Sequence, residues 1–256
     1  MGYRLTAGGF SDRGLVRKEN QDSFFKHISD RVSVFCVADG MGGHSQGRRA
    51  SIVVTDSVRE WTDNFYEGKY GDGFHGILED FEQCLLRANR QIFQFYNKGQ
   101  VCGTTVVALL IYEKYYAVFS VGDSRLYRKR GLSFTQMTKD DNWQNSDAVP
   151  YGYSDKEIKR NRNYGKLVKA LGVCDTVVPF RMTDKLKWGD TFFLCSDGVY
   201  QYCSKDIIKQ CCQRGIWKPD HMIEAGLDDI YRCVKQKGAP DNFTAILVRV
   251  GGWGGK

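Results

Sequence analysis

Three times along this chain an apolar run rich in β-branched and aromatic residues leads straight to an aspartate. Val32 to Ala38 delivers Asp39, followed by Gly40, Gly42 and Gly43; Tyr115 to Val121 delivers Asp123 through Gly122; Thr191 to Cys195 delivers Asp197 through Ser196. Runs of this length are strands, too short for stable helices. A fourth acid, Asp241, sits in Ala-Pro-Asp-Asn just before the apolar stretch Phe243 to Val250. If all four acids meet, three strands end at one place and the last begins there, so it runs antiparallel to the others. Glu113-Lys114 and Lys129-Arg130-Gly131 join neighbouring strands as hairpins, which excludes a doubly wound parallel sheet.

The remaining elements follow from periodicity. Tyr3 to Phe10 reads as a first strand. Ala50, Val54, Val58, Trp61 and Phe65 recur at helical spacing across Gly47 to Phe65, and a second amphipathic helix spans about Gly76 to Lys98. Strands at Gly103 to Tyr112, Tyr115 to Val121, Arg125 to Arg128 and Leu132 to Met137 come next. Beyond them we expect a short helix at Lys166 to Leu171, a strand at Val178 to Met182, helices at Ser204 to Gln213 and Pro219 to Lys235, and the final strand. The class is α+β. Residues 1–250 read as a single domain, with the polar segment 139–165 a flap or mobile loop and 251–256 a disordered tail.

Composition narrows the function classes. The longest apolar run, Thr105 to Tyr112, cannot span a bilayer, and no signal or transit segment is visible. Met1-Gly2 through Thr6 fits a short myristoylation pattern, but Tyr3 to Thr6 also opens the first strand. Nine cysteines, an odd number without Cys-x-x-Cys spacing, suit reduced thiols in a cytoplasmic protein. The net charge of +7 suits anionic partners without choosing among them. Crowded carboxylates raise one another's pKa unless a cation lies among them. Aspartates offer only oxygen, which fits Mg²⁺ or Mn²⁺ and not zinc.

Arg17-Lys-Glu-Asn-Gln-Asp22, Asp39-Gly-Met-Gly-Gly-His44, Gly103-Thr-Thr105, Gly122-Asp-Ser-Arg125, Ser196-Asp-Gly198 and Pro240-Asp-Asn242 occur in that order. Together they resemble the metal-dependent PP2C-type (PPM family) serine/threonine protein phosphatases over about Gly9 to Arg249, and the Asp-Gly-Met-Gly-Gly-His form resembles the bacterial branch. The resemblance implies a four-layer αββα sandwich of two mostly antiparallel sheets flanked by helices. It implies a centre of two Mn²⁺ or Mg²⁺ ions, with Asp39 bridging them, the Gly40 carbonyl contributing, Asp197 and Asp241 on the first ion, and Asp22 acting through water. Asp123 would help hold a third, weaker ion, and Arg17 matches the phosphate-binding arginine. The implied reaction is hydrolysis of phosphoserine and phosphothreonine by a metal-activated water. The implied partners are phosphorylated proteins and a cognate Ser/Thr kinase, with no nucleic acid, no membrane and a monomeric state.

Several residues keep two readings. Arg17 is either a phosphate fork or a surface arginine paired with Glu19, and Asp241 either a ligand or a turn acid. Asp140 belongs either to the third-ion region or to a helix cap. Met41 stands where many eukaryotic members carry a histidine thought to protonate the leaving alcohol, so His44 is either its substitute or a surface histidine. Asp141 stands where relatives commonly have histidine. The basic run from Lys156 to Lys169 either steers acidic phosphopeptides or is simply solvated. A two-metal nuclease and a non-catalytic sensor of the same fold are the competing functions.

Overall fold

The structure is a computed structural model describing residues 3–43, 45–68, 73–96, 101–213 and 219–253. Eleven strands are described: β1 (Tyr3–Asp12), β2 (Asp22–His27), β3 (Val32–Gly42), β4 (Cys102–Thr104), β5 (Val106–Tyr112), β6 (Tyr115–Val121), β7 (Arg125–Arg130), β8 (Ser133–Gln136), β9 (Phe180–Lys185), β10 (Thr191–Cys195) and β11 (Phe243–Trp253). The helices are α1 (Gln46–Tyr66), α2 (Phe74–Tyr96), α3 (Asp155–Arg160), α4 (Asp197–Tyr200), α5 (Lys205–Gln213) and α6 (Pro219–Gln236). One sheet has the order β1-β11-β10-β7-β8, the other β2-β3-β5-β6-β9 with β4 against β3. Every pairing of these strands is antiparallel.

Strand alternation sorts the apolar side chains into three cores, and three cores separate four layers. Phe35 and Val37 of β3 meet Val107 and Leu109 of β5 and, from the other sheet, Phe192, Leu194, Ile246 and Val248. The intervening Val34, Cys36 and Ala38 face the opposite way, against Val54, Val58 and Trp61 of α1 and Phe81 and Leu85 of α2. Outside the first sheet, Phe193, Ala245 and Leu247 pack under Ile208 of α5 and Ile223, Leu227 and Ile230 of α6. The continuous apolar runs seen in the sequence are therefore strands buried on both faces. Among the described residues no helix is long and apolar enough to cross a membrane.

Four expectations are corrected. The strand that begins at Val32 does not end at Asp39 but continues as β3 to Gly42, changing partner from β5 at Val37↔Val107 to β4 at Gly40↔Thr104. Lys166 to Leu171 is no helix: Leu167 and Leu171 make isolated bridges to Asn142 and Thr104. Their spacing imitates an apolar helix face, but the hydrogen bonds go to distant chain. The strand expected at Val178 to Met182 lies at Phe180–Lys185, where β6 pairs with it. Gly251 to Trp253, assigned to a disordered tail, continue β11, with Trp253 opposite Tyr3; residues 254–256 lie outside the described set. Within 139–165 the chain forms a 3₁₀ turn at Trp143–Asn145 and the helix α3, whose Ser154 and Glu157 make a reciprocal capping box.

Candidate active site

Asp39 sits where β3 exchanges one partner for the other. Its carbonyl accepts from Thr104 Oγ1 and from the Thr105 N–H, both at 2.9 Å, and its own N–H donates to Thr105 Oγ1 at 3.2 Å. Gly40 is needed beside it: a Cβ there would lie 2.1 Å from the Gly47 carbonyl oxygen and 2.6 Å from that of Gln21. This close approach draws the start of α1 and the entry to β2 up to the acid. Asp22, the first residue of β2, stands directly opposite Asp39 in the ladder.

Asp197 opens α4 immediately after β10. The turn is pressed against the lead-in to β11, since a Cβ on Gly198 would lie 1.9 Å from the Asn242 carbonyl oxygen. Ser196 ties the pieces together. Its Oγ donates to Asp22 Oδ2 at 2.7 Å and accepts from the Thr244 N–H at 3.0 Å. Gln201, one turn along, donates its side-chain N–H to Asp197 Oδ2 at 2.7 Å.

Asp22 opposes Asp39 in the ladder, Ser196 next to Asp197 binds Asp22, and Asp39, Asp197 and Asp241 line one cleft, so the acids crowd one another. Burial, then the repulsion of Asp22, Asp197, Asp123 and Asp241, holds the Asp39 carboxyl well above the ordinary range. Burial and neighbouring carboxylates also push Asp22, Asp123 and Asp197 up to about 6. For Asp197 the neighbours are Asp241 and Asp22; for Asp123 they are Asp197 and Asp140. Carboxylates assembled at this cost need a compensating cation or proton.

An open cleft of about 580 Å³ lies over the cluster, lined by Arg17, Lys18, Glu19, Gln21, Asp39, Gly40, Met41, Gly42, Asp197, Asp241 and Asn242. Arg17 does not pair with Glu19, which instead accepts from the Gln21 side chain at 2.8 Å. It forks Asp241, Nε to Oδ1 at 2.8 Å and Nη2 to Oδ2 at 2.7 Å. Met41 contributes apolar surface to the cleft. His44 lies outside the described residues.

Of the two readings for Asp140, the helix cap is not met, and Asp140 lies close enough to Asp123 to act on it. Its carboxylate is gripped by Arg125, whose Nη2 reaches Oδ2 at 2.7 Å, and it also accepts from Gln136. Arg125 thus pairs with Asp140, and its guanidinium lies 3.6 Å from the Tyr200 ring centre. Asp141 braces the turn before Asp123, accepting from the Gly122 N–H at 2.9 Å and pairing with Lys169 at 3.0 Å. Ser196, Gln201 and Asn242 were not singled out from the sequence. Their signal was present, since Ser196 and Asn242 lie inside the motifs and Gln201 is one helical turn beyond Asp197.

The donor set suits hard divalent ions. It consists of carboxylate oxygens and a glycine backbone, and Asp22 Oδ1 is buried with no hydrogen-bond donor to satisfy it. As they stand, no three acidic, histidine or cysteine side chains among the described residues form a ready-made cage.

The family model described as protein phosphatase 2C matches residues 16–239. The serine/threonine protein phosphatase PstP of Mycobacterium tuberculosis is 27% identical over 246 residues, covering 94% of this chain and 44% of that protein. The chain thus spans less than half the length of that relative. The protein phosphatase PhpP of Streptococcus pneumoniae is 28% identical over 243 residues, covering 93% of this chain and 94% of its own. Among solved structures, the catalytic domain of PstP in complex with two manganese ions superposes with a TM-score of 0.77 at 26% identity, covering 97% of this chain and 99% of that one. The serine/threonine phosphatase Stp1 of Staphylococcus aureus gives 0.80 at 26% identity, covering 98% and 97%.

Proposed function

The chain belongs to the protein phosphatase 2C family, and from that premise we propose that residues 1–250 act as one catalytic unit hydrolysing phosphoserine and phosphothreonine in proteins. The observation that carries the reading is the meeting of Asp22, Asp39, Asp197 and Asp241, from four separate stretches of chain, beneath a cleft that also holds Arg17.

A pair of Mn²⁺ or Mg²⁺ ions would supply Lewis acidity and a water of lowered pKa. Asp39, Asp197, Asp241 and the Gly40 carbonyl would hold that pair, Asp22 would support it through water, and Asp123 would serve a third, weaker ion. The unsatisfied Asp22 Oδ1 and the raised carboxyls support this assignment. Arg17 here forks the two Asp241 oxygens with Nε and Nη2; released from that carboxylate, the same planar fork would match two phosphate oxygens and orient the phosphorus for in-line attack. Ser196 holds the Asp22 carboxylate directly, Thr105 holds the Asp39 backbone, and Asn242 accepts from the Gln21 N–H beside Asp22. His44 is the sequence-based candidate for protonating the leaving alcohol.

Phosphorylated proteins and a cognate Ser/Thr kinase are the proposed partners, and the chain is proposed to act as a cytoplasmic monomer. Nine free thiols suit a reducing compartment, and a charge of +7 suits phosphoprotein substrates. The test is turnover of a phosphothreonine peptide with and without Mn²⁺, in the wild type and in Asp39→Asn. Activity that depends on the ion and vanishes in the variant is expected. Undiminished turnover in excess chelator overturns the reading.

A further inference from the structure

The loop between β1 and β2 carries two aliphatic side chains that the catalytic reading leaves unused. Leu15 and Val16 immediately precede Arg17 and are 63% and 68% exposed. Scattered surface aliphatics are ordinary, but this pair is consecutive and its loop is pinned. Gly14 takes φ +79°, where a Cβ would lie 2.2 Å from the Asp241 carbonyl oxygen, so the loop presses against the backbone of the acid itself. The Leu15 N–H donates to the Ala239 carbonyl at 2.8 Å. Asn242 Nδ2 donates to the carbonyls of Arg13 and Glu19 at 2.8 and 2.9 Å, bracketing the segment from both sides.

Two exposed side chains on a backbone already fixed at both ends give a contact surface that loses little further backbone freedom when a ligand covers it. We propose that Leu15 and Val16 are a substrate-selecting rim that packs against an aliphatic side chain flanking the phosphorylated residue of a bound peptide, an inference that rests on the phosphatase reading above. The occupant follows from position. Leu15 and Val16 directly precede Arg17 and Lys18 in the chain, and those two residues line the cleft in which the proposed phosphate would sit. Successive residues of an extended peptide rise only about 3.4 Å each. A phosphoresidue seated at Arg17 therefore brings its neighbours alongside the residues next to Arg17.

The test compares phosphothreonine peptides that carry leucine or serine at the positions flanking the phosphoresidue, with p-nitrophenyl phosphate, which has no flanking residue, as reference. The wild type should favour the leucine-flanked peptide in kcat/KM by about five- to twentyfold. In Leu15→Ser combined with Val16→Ser, that preference should shrink to within about twofold, while p-nitrophenyl phosphate turnover and thermal midpoint stay close to wild type. Intact p-nitrophenyl phosphate turnover without a wild-type peptide preference, or with a preference that survives both substitutions, overturns the rim alone. Absence of ion-dependent turnover of every substrate overturns the phosphatase reading and the rim with it.

Discussion

Arg17 and Asp241, 224 residues apart in the chain, are joined by two parallel hydrogen bonds of 2.8 and 2.7 Å. Under the proposed chemistry each has a second use, Arg17 for a phosphate dianion and Asp241 for a divalent cation, so the fork keeps two functional groups folded in towards the cleft. Arg17→Ala is expected to lower kcat/KM by about ten- to a hundredfold, roughly 1.5–3 kcal/mol of lost transition-state stabilisation. Arg17→Lys should recover little of it, because an ammonium cannot reproduce the planar fork. Steady-state kinetics on p-nitrophenyl phosphate with Mn²⁺ measure both, and an unchanged kcat/KM removes Arg17 from the site.

Asp39 is the most crowded acid, with Asp22, Asp197, Asp123 and Asp241 all acting on it. Asp39→Asn keeps the shape and removes one charge from the cluster, so two effects should separate. Activity should disappear. Thermal stability in chelator should rise or hold, since the like charges surrounding position 39 lose one member. Melting curves of wild type and variant in EDTA check this, and a large fall in the variant's midpoint argues for a structural role instead.

Stability should also depend on pH in a defined sense. Asp22, Asp123 and Asp197 sit at about 6, above the ordinary 3.8. An acid that binds its proton more tightly when folded adds stability that is complete below the unfolded value and is lost as pH rises through the folded one. In chelator the cluster should therefore contribute falling stability between about pH 4 and about pH 7. Mn²⁺ competes with those protons, so the rise in Tm on adding it should grow across the same window. Thermal melts at several pH values with EDTA or Mn²⁺ give the comparison. A gain independent of pH removes these acids from cation binding.

What the sequence disclosed follows from where its information is local. Val34, Cys36 and Ala38 alternating with Phe35 and Val37 sufficed for a strand buried on both faces, and the helical spacing from Ala50 to Phe65 sufficed for α1. The acids were legible because each lies beside an apolar run. The partner change at Asp39 was not, because it depends on where Thr104 and Val107 lie, some seventy residues away. The helix α3 was missed for the opposite reason: none of its residues is buried, so periodicity is silent, although Ser154 and Glu157 already spelled its cap. The fork between Arg17 and Asp241, and the grip of Arg125 on Asp140, are long-range choices among several available charges, and only the fold decides them.

Ser196 offers the most selective probe of the scaffold beneath the acids. It is fully buried, and its single hydroxyl serves both sheets: it donates to Asp22 Oδ2 on the edge of one and accepts from the Thr244 N–H of β11 in the other. Ser196→Ala removes both bonds and adds no bulk. It leaves the Thr244 N–H without its side-chain acceptor, and it leaves Asp22, whose Oδ1 is already unsatisfied, poorer by a donor. The cost should be about 1–3 kcal/mol of unfolding free energy in urea. Because the stranded carboxylate is then more dependent on a cation, saturating Mn²⁺ should restore a larger share of stability in the variant than in the wild type. Ser196→Thr, which keeps the hydroxyl but adds a methyl group in a filled site, tests overpacking instead. Equal Mn²⁺-induced stabilisation in the wild type and Ser196→Ala would separate the Asp22–Ser196 pair from ion binding.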